Sequence, residues 1–167
     1  MKTKNHVLDS ILKDMISAIQ LPTYEAVDVY WVALVKIAHL MPGESEHKRL
    51  LNLLDELPIV CLESILHDAG VDALLDLDPP LESILVNRNE RLSFEATQAA
   101  INSIRDNRIE NPRAAIVSLG EILKRIRNKR AHGFKTRDGP RDEIILKSAR
   151  SILQRFCEVC VEELYSH

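Results

Sequence analysis

The stretch "PRAAIVSLGEILKRIRNKRAHG", residues 112–133, decides how the chain is read. Pro112 suits the first turn of a helix, where its missing N–H would lack an intrahelical partner anyway. From there Ala115, Ile116, Leu119, Ile122, Leu123 and Ile126 recur at helical spacing and describe one buried stripe. After Ile126 the stripe stops. Arg127, Asn128, Lys129, Arg130, Ala131 and His132 replace it, and Gly133 can close the helix as a left-handed cap. The pattern predicts a helix over about 112–132, apolar for most of its length and cationic at its C-terminal end.

Outward from this helix the same period repeats. The following loop, "FKTRDGPR" (134–141), brings Lys135, Arg137 and Arg141 around a turn at Asp138-Gly139-Pro140. Asp142 and Glu143 then open a helix over about 142–164, where their charge suits its positive end. On the other side a helix is expected over about 94–109. These three are read as a C-terminal bundle, residues 93–167.

Residues 1–92 are read as an N-terminal helical part packed on that bundle. A helix over about 6–20 is stopped by Pro22, and Thr23 is the expected cap of the next, "YEAVDVYWVALVKIAHLM" (24–41). In it Val27, Tyr30, Trp31, Leu34, Ile37 and Ala38 form a core face. Pro42-Gly43 breaks the chain. "SEHKRLLNLLDEL" (45–57) and "IVCLESILHDAG" (59–70) follow as shorter amphipathic segments, the second closed by Gly70. The tract 71–93, interrupted by Pro79-Pro80, is read as a connection. No stretch alternates as a strand would, so the expected fold is one all-α domain of six or seven helices.

Composition agrees with a soluble helical domain. The 167 residues are 46% hydrophobic and 28% charged, with only 5 Gly, and a chain of this length buries roughly 70% of its unfolded surface. Asp9, Lys13 and Asp14 interrupt the N-terminal apolar residues, so no signal-peptide core is expected, and no window approaches a membrane span. Three cysteines without an export signal point to reduced thiols in a cytoplasm. The net charge of −3 hides a split, −8 over residues 1–100 and +5 over 101–167. An anionic partner would land on the second half. The patch is local, unlike the strongly basic domain of a duplex-DNA binder.

A histidine at a helix end beside a basic loop is placed to meet phosphate. Two arginines could partner His132. At about 100° per residue Arg125 and Asn128 fall within roughly 40° of it around the helix axis, whereas Arg127 sits about 140° away. A regular helix in an isolated chain favours Arg125. Arg127 requires a loosened last turn or a site shared between two subunits.

"RNKRAHG" (127–133) resembles the R-x4-6-H signature of the HEPN superfamily of small helical domains, in which the arginine is often followed by Asn and the histidine by Gly. The downstream "KTRDGPRDEIILKSARSIL" is similar to subfamilies with a lysine soon after the His-Gly and an acidic residue opening a helix. "YWVALVKIAHLM" resembles, more loosely, the aromatic first core helix of some members. The clear similarity covers about residues 94–164. It implies an HEPN-like bundle, and it assigns the motif positions to Arg127, Asn128 and His132. Phe134 stands where the HEPN toxins that pair with a nucleotidyltransferase antitoxin usually carry Tyr, which sets this chain apart from that subgroup.

The activity implied is a metal-independent endoribonuclease acting in defence, stress response or a toxin-antitoxin system, with RNA as substrate and no cofactor or metal. The residue types suit that chemistry. Histidine supplies a base near neutral pH for the ribose 2′-hydroxyl, and arginine supplies a cation for the charge building on phosphorus. Asn128 would orient the imidazole; Lys129, Arg130, Lys135 and Arg137 would guide the backbone. The resemblance further implies a homodimer with two motifs facing one cleft, and an antitoxin or other defence-system protein as a possible partner.

Simpler readings stand beside this one. Cations near a helix C-terminus followed by Gly are favoured by the helix dipole alone. An HEPN-like fold can also serve as a noncatalytic RNA- or nucleotide-binding module, or as a dimeric interaction protein. Cys157 and Cys160 form a CxxC, but with Cys61 as the sole third thiol they lack a four-ligand set and read as buried small hydrophobes. His39 reads as a core or edge histidine. The acidic residues Asp72, Asp76, Asp78 and Glu82 fit no calcium loop and read as solvated surface.

Overall fold

The computed structural model describes residues 2–77, 80–85, 90–131 and 140–166. Among these residues the chain is all helix and turn, an all-α bundle. The helices are α1 (Lys2–Ile19), α2 (Thr23–Ala38), α3 (Glu46–Glu56), α4 (Ile59–Leu66), α5 (Ala69–Leu75), α6 (Leu81–Ile84), α7 (Glu90–Asn107), α8 (Pro112–Ala131) and α9 (Pro140–Ser166). Nine described helices exceed the six or seven expected, and the excess falls in the tract read as a connection, which contains most of α5 and all of α6.

Two local expectations are corrected. Thr23 is the first residue of α2 rather than its cap; Pro22 occupies that position with no side-chain bond, and its carbonyl accepts from the Glu25 and Ala26 amides. The fixed φ of proline sets the chain direction there, so a hydroxyl cap is unnecessary. Gly70 does not close α4, which ends at Leu66; it lies inside α5. Asp68 caps α5 by accepting the Gly70 N–H at 2.7 Å, and its other oxygen accepts the Ser151 hydroxyl of α9 at 3.0 Å. The glycine is needed for close approach: a Cβ there would stand 2.7 Å from the Ser148 carbonyl oxygen of α9. Ser45, by contrast, caps α3 through the Lys48 amide at 3.2 Å, as a serine before an amphipathic helix should.

One core runs through both halves of the chain. α2 lies against α1, α3 and α9, while α9 packs chiefly on α2 and α5 and α7 packs on α8. The residue 1–92 and 93–167 parts are therefore interleaved rather than stacked, and α8 meets α9 over only a small contact. α2 explains part of this. Ala26, Val27, Tyr30, Trp31, Ala33, Leu34, Ile37 and Ala38 are all buried, a face too wide for one neighbour, so three helices cover it. α9, at 27 residues, is about 40 Å long and gives the shorter helices a common support.

Arginines of the second half tie the helix ends of the first. Arg150 donates to the Ile19 carbonyl at 3.0 Å and the Leu21 carbonyl at 3.4 Å, beyond α1. Arg113 donates to Leu54 and Leu57 at 2.7 and 3.1 Å, at the end of α3. Arg105 donates to Leu75 at 2.6 Å, at the end of α5. Each guanidinium meets carbonyls that have no intrahelical partner, at the negative end of a helix dipole.

Candidate functional site

α8 carries the motif, and its cross-section explains what each of its faces does. Ala115, Ile116, Leu119, Ile122, Leu123 and Ile126 are at most 1% exposed, the stripe expected from their spacing. The two flanks of that stripe differ. On one flank the Ser118 hydroxyl donates to the Ala114 carbonyl at 3.2 Å and accepts from the Ser103 hydroxyl of α7 at 2.8 Å; two short hydroxyls here let α7 and α8 approach closely. On the other flank Arg113 reaches the end of α3. At about 100° per residue Arg125 continues the Ser118 flank and Arg127 the Arg113 flank, so the stripe separates the two arginines.

Their environments differ accordingly. Arg125 is half-buried, and its Nε is enclosed with no hydrogen-bond partner. Arg127 is half-buried, and its Nη1 lies 3.4 Å from the Oδ1 of Asn128, the long edge of a hydrogen bond. Asn128 itself is exposed. Lys129 and Arg130 belong to the last turn and a half of α8, which is regular through Ala131. His132, Lys135 and Arg137 lie outside the described residues. The structure thus places Arg127 beside Asn128 and puts Arg125 and Arg127 on opposite sides of the buried stripe. Regularity through Ala131 also means that no loosening of the described turns moves Arg127 toward the Arg125 side.

The charge of this end is concentrated by the roles of the other cations. Residues 101–167 hold 14 Lys and Arg. Arg105, Arg113 and Arg150 bind helix ends, Arg108 pairs with Asp72, Arg155 bonds the Ser64 hydroxyl at 3.0 Å, and Lys147 pairs with Glu143 at 2.6 Å. The other eight all fall in residues 124–141, from the C-terminal end of α8 to the first turn of α9. The charge count over residues 101–167 could not show these structural roles, because it does not distinguish an arginine bonded to carbonyls from one facing solvent.

Of the remaining candidates, Glu82 is buried at 8% exposure rather than solvated as its sequence suggested. Cys157 and Cys160 are fully buried on α9, and the Cys157 thiol donates to the Tyr30 carbonyl at 3.4 Å. Burial pushes Cys160 up to about 12 and Cys157 well above the ordinary thiol range, so both stay protonated at neutral pH and make poor nucleophiles or ligands. Cys61, half-buried, is also raised, by burial and by the nearby Glu163. Among the described residues no three His, Cys, Asp or Glu gather into a metal-binding group. Asp72 is held below the ordinary carboxylate range by its bond to Arg108, so this acid serves an ion pair.

Fold and site together define an all-α bundle with a cationic helix end. Among the described residues no helix is long and apolar enough to cross a membrane. The chain matches no protein-family model, no curated protein and no solved structure.

Proposed function

We propose that the C-terminal end of α8 is an RNA-cleaving site of the HEPN type, acting without a metal, in the defence, stress or toxin-antitoxin setting that the motif resemblance implies. The observation that carries this reading is the convergence of two independent facts on one helix end. The R-N-x3-H-G pattern begins at Arg127, and eight of the 14 Lys and Arg of residues 101–167 fall in residues 124–141, around the same helix end. Cleavage would proceed by transfer of the 2′-hydroxyl proton to the His132 imidazole and attack of that oxygen on phosphorus. The P–O5′ bond then breaks as the His132 imidazolium returns its proton to the leaving 5′ oxygen, giving a 2′,3′-cyclic phosphate and a 5′-hydroxyl, while arginine balances the charge on the phosphorane.

The separation of Arg125 from Arg127 by the core stripe favours a composite site. With α8 regular through Ala131, Arg127 of one chain would serve His132 of a second in a homodimer. The test is cleavage of a single-stranded RNA in EDTA. His132→Ala should lower the rate by about 10² to 10⁴, Arg127→Ala should do the same, and Arg125→Ala should be mild. Mixing the two inactive variants should restore part of the activity. Cleavage that EDTA abolishes and His132→Ala does not sinks the proposal; RNA retained without any product assigns the helix end to a binding module instead.

A further inference from the structure

A cavity of about 390 Å³ opens between α2, α3 and α8, on the Arg113 flank of α8, with Lys124 at its edge toward the basic end. Its floor is core: Trp31, Leu34 and Phe156, each at most 7% exposed. Leu50 and Leu54 of α3 and Val117 of α8 form the walls. The rim carries both signs of charge, Glu46 and Glu121 against Lys124, with His47 beside them.

Gly120 is the second observation. It sits in the middle of α8 and lines the cavity, yet a Cβ there would meet no atom within 4 Å. Glycine in a helix interior is destabilising relative to alanine. Gly70 has a steric reason, the Ser148 backbone at 2.7 Å. Gly120 has none. A side chain at this position would strengthen the helix and fill the cavity, and the sequence leaves both undone. Local rules broken without a packing reason point to function.

We propose that this cavity binds a small, uncharged aromatic molecule of two or three rings. Size sets the first limit. A cavity of about 150 Å³ holds benzene, so 390 Å³ suits a molecule more than twice as large. A sphere of this volume has a wall of roughly 260 Å², a third of the ~800 Å² that each partner buries in a stable complex, so the concavity suits a small molecule and not a folded protein. The indole of Trp31 and the ring of Phe156 at the floor favour aromatic contact. The rim carries one net negative charge, which disfavours an anion, and burial against an apolar floor disfavours a charged ligand of either sign. The site is independent of the RNA reading.

Trp31 is the sole tryptophan, so its fluorescence reports occupancy directly. The full chain is titrated with N-phenyl-1-naphthylamine. Saturable quenching of Trp31, with matching sensitised emission from the dye, is expected. Gly120→Leu should weaken binding at least tenfold, and Gly120→Ala several-fold, with helical circular dichroism retained and a raised Tm for Gly120→Ala. Absence of saturable quenching overturns the proposal. So does wild-type affinity in Gly120→Leu, or in Gly120→Ala should the leucine variant not fold.

Discussion

Replacing Gly70 by alanine isolates the close contact between α5 and α9. The added methyl would stand 2.7 Å from the Ser148 carbonyl oxygen, 3.1 Å from the Ser148 Cα and 2.9 Å from the Asp68 Oδ1. Two of these three are backbone atoms of a long, fully packed helix and cannot rotate away. Relief requires α5 to retreat by several tenths of an ångström, which overpacking data place at about 1–3 kcal/mol. The retreat also stretches the Asp68–Ser151 hydrogen bond, 3.0 Å in the native packing, for about a further 0.5–1.5 kcal/mol if it is lost. Alanine recovers up to about 1 kcal/mol in helix propensity. The net loss is about 1–3 kcal/mol, or about 3–10 °C in Tm for a domain of this size. Urea unfolding followed by circular dichroism measures it, with Gly120→Ala as the control of opposite sign, since its methyl enters open space. A Gly70→Ala protein as stable as wild type would refute the close-approach argument.

Two further outcomes test the electrostatics. Asp72→Asn should cost under about 1 kcal/mol near neutral pH, because the pair is half-exposed at the aspartate; Arg108 depresses the folded carboxyl, so the contribution holds above the ordinary aspartate range and disappears as pH falls through the depressed value. A difference between variant and wild type that persists undiminished in strong acid contradicts this. Replacing Lys135 and Arg137 by alanine should flatten the log-log salt dependence of single-strand RNA binding by about 0.7 per lost phosphate contact, and an unchanged slope in filter binding would place the RNA elsewhere.

The elements legible in the sequence were those with a strong period and a clear stop. α8 begins at Pro112 as expected and its stripe is buried residue for residue; α3 begins after Ser45 for the same reason. The short helices α5 and α6 were missed because tertiary contacts hold them. α5 has 7 residues, too few to be stable alone, and exists through the Asp68 cap and the Gly70 contact to α9. Neither is visible without knowing that residues 68 and 148 meet. Interleaving was hidden for a related cause: periodicity says which face is buried and never against what.

The helix that carries the candidate residues was legible in the sequence, and the neighbours of its two flanks were not. A helical-wheel count separated Arg125 from Arg127, but only the Ser118–Ser103 contact says that the Arg125 flank belongs to α7, and only Arg113 at the end of α3 says that the Arg127 flank belongs to the cavity side. The charge split behaved in the same way. As a sum it marked the second half as the place for an anionic partner; the structure adds that six of its 14 cations hold helix ends, ion pairs or a hydroxyl. A guanidinium engaged with two carbonyls keeps its charge but is held in place, so its N–H groups are not free to turn toward an approaching phosphate. The other eight cations lie in residues 124–141, and the proposed site would take its base from position 132, its arginine from 127 and an amide from 128. Gly120 lies two turns upstream on the Arg127 flank, so the cavity and the cationic end are consecutive parts of one helix face, which is why substitutions at residue 120 and at residue 127 give separable readouts on a shared scaffold.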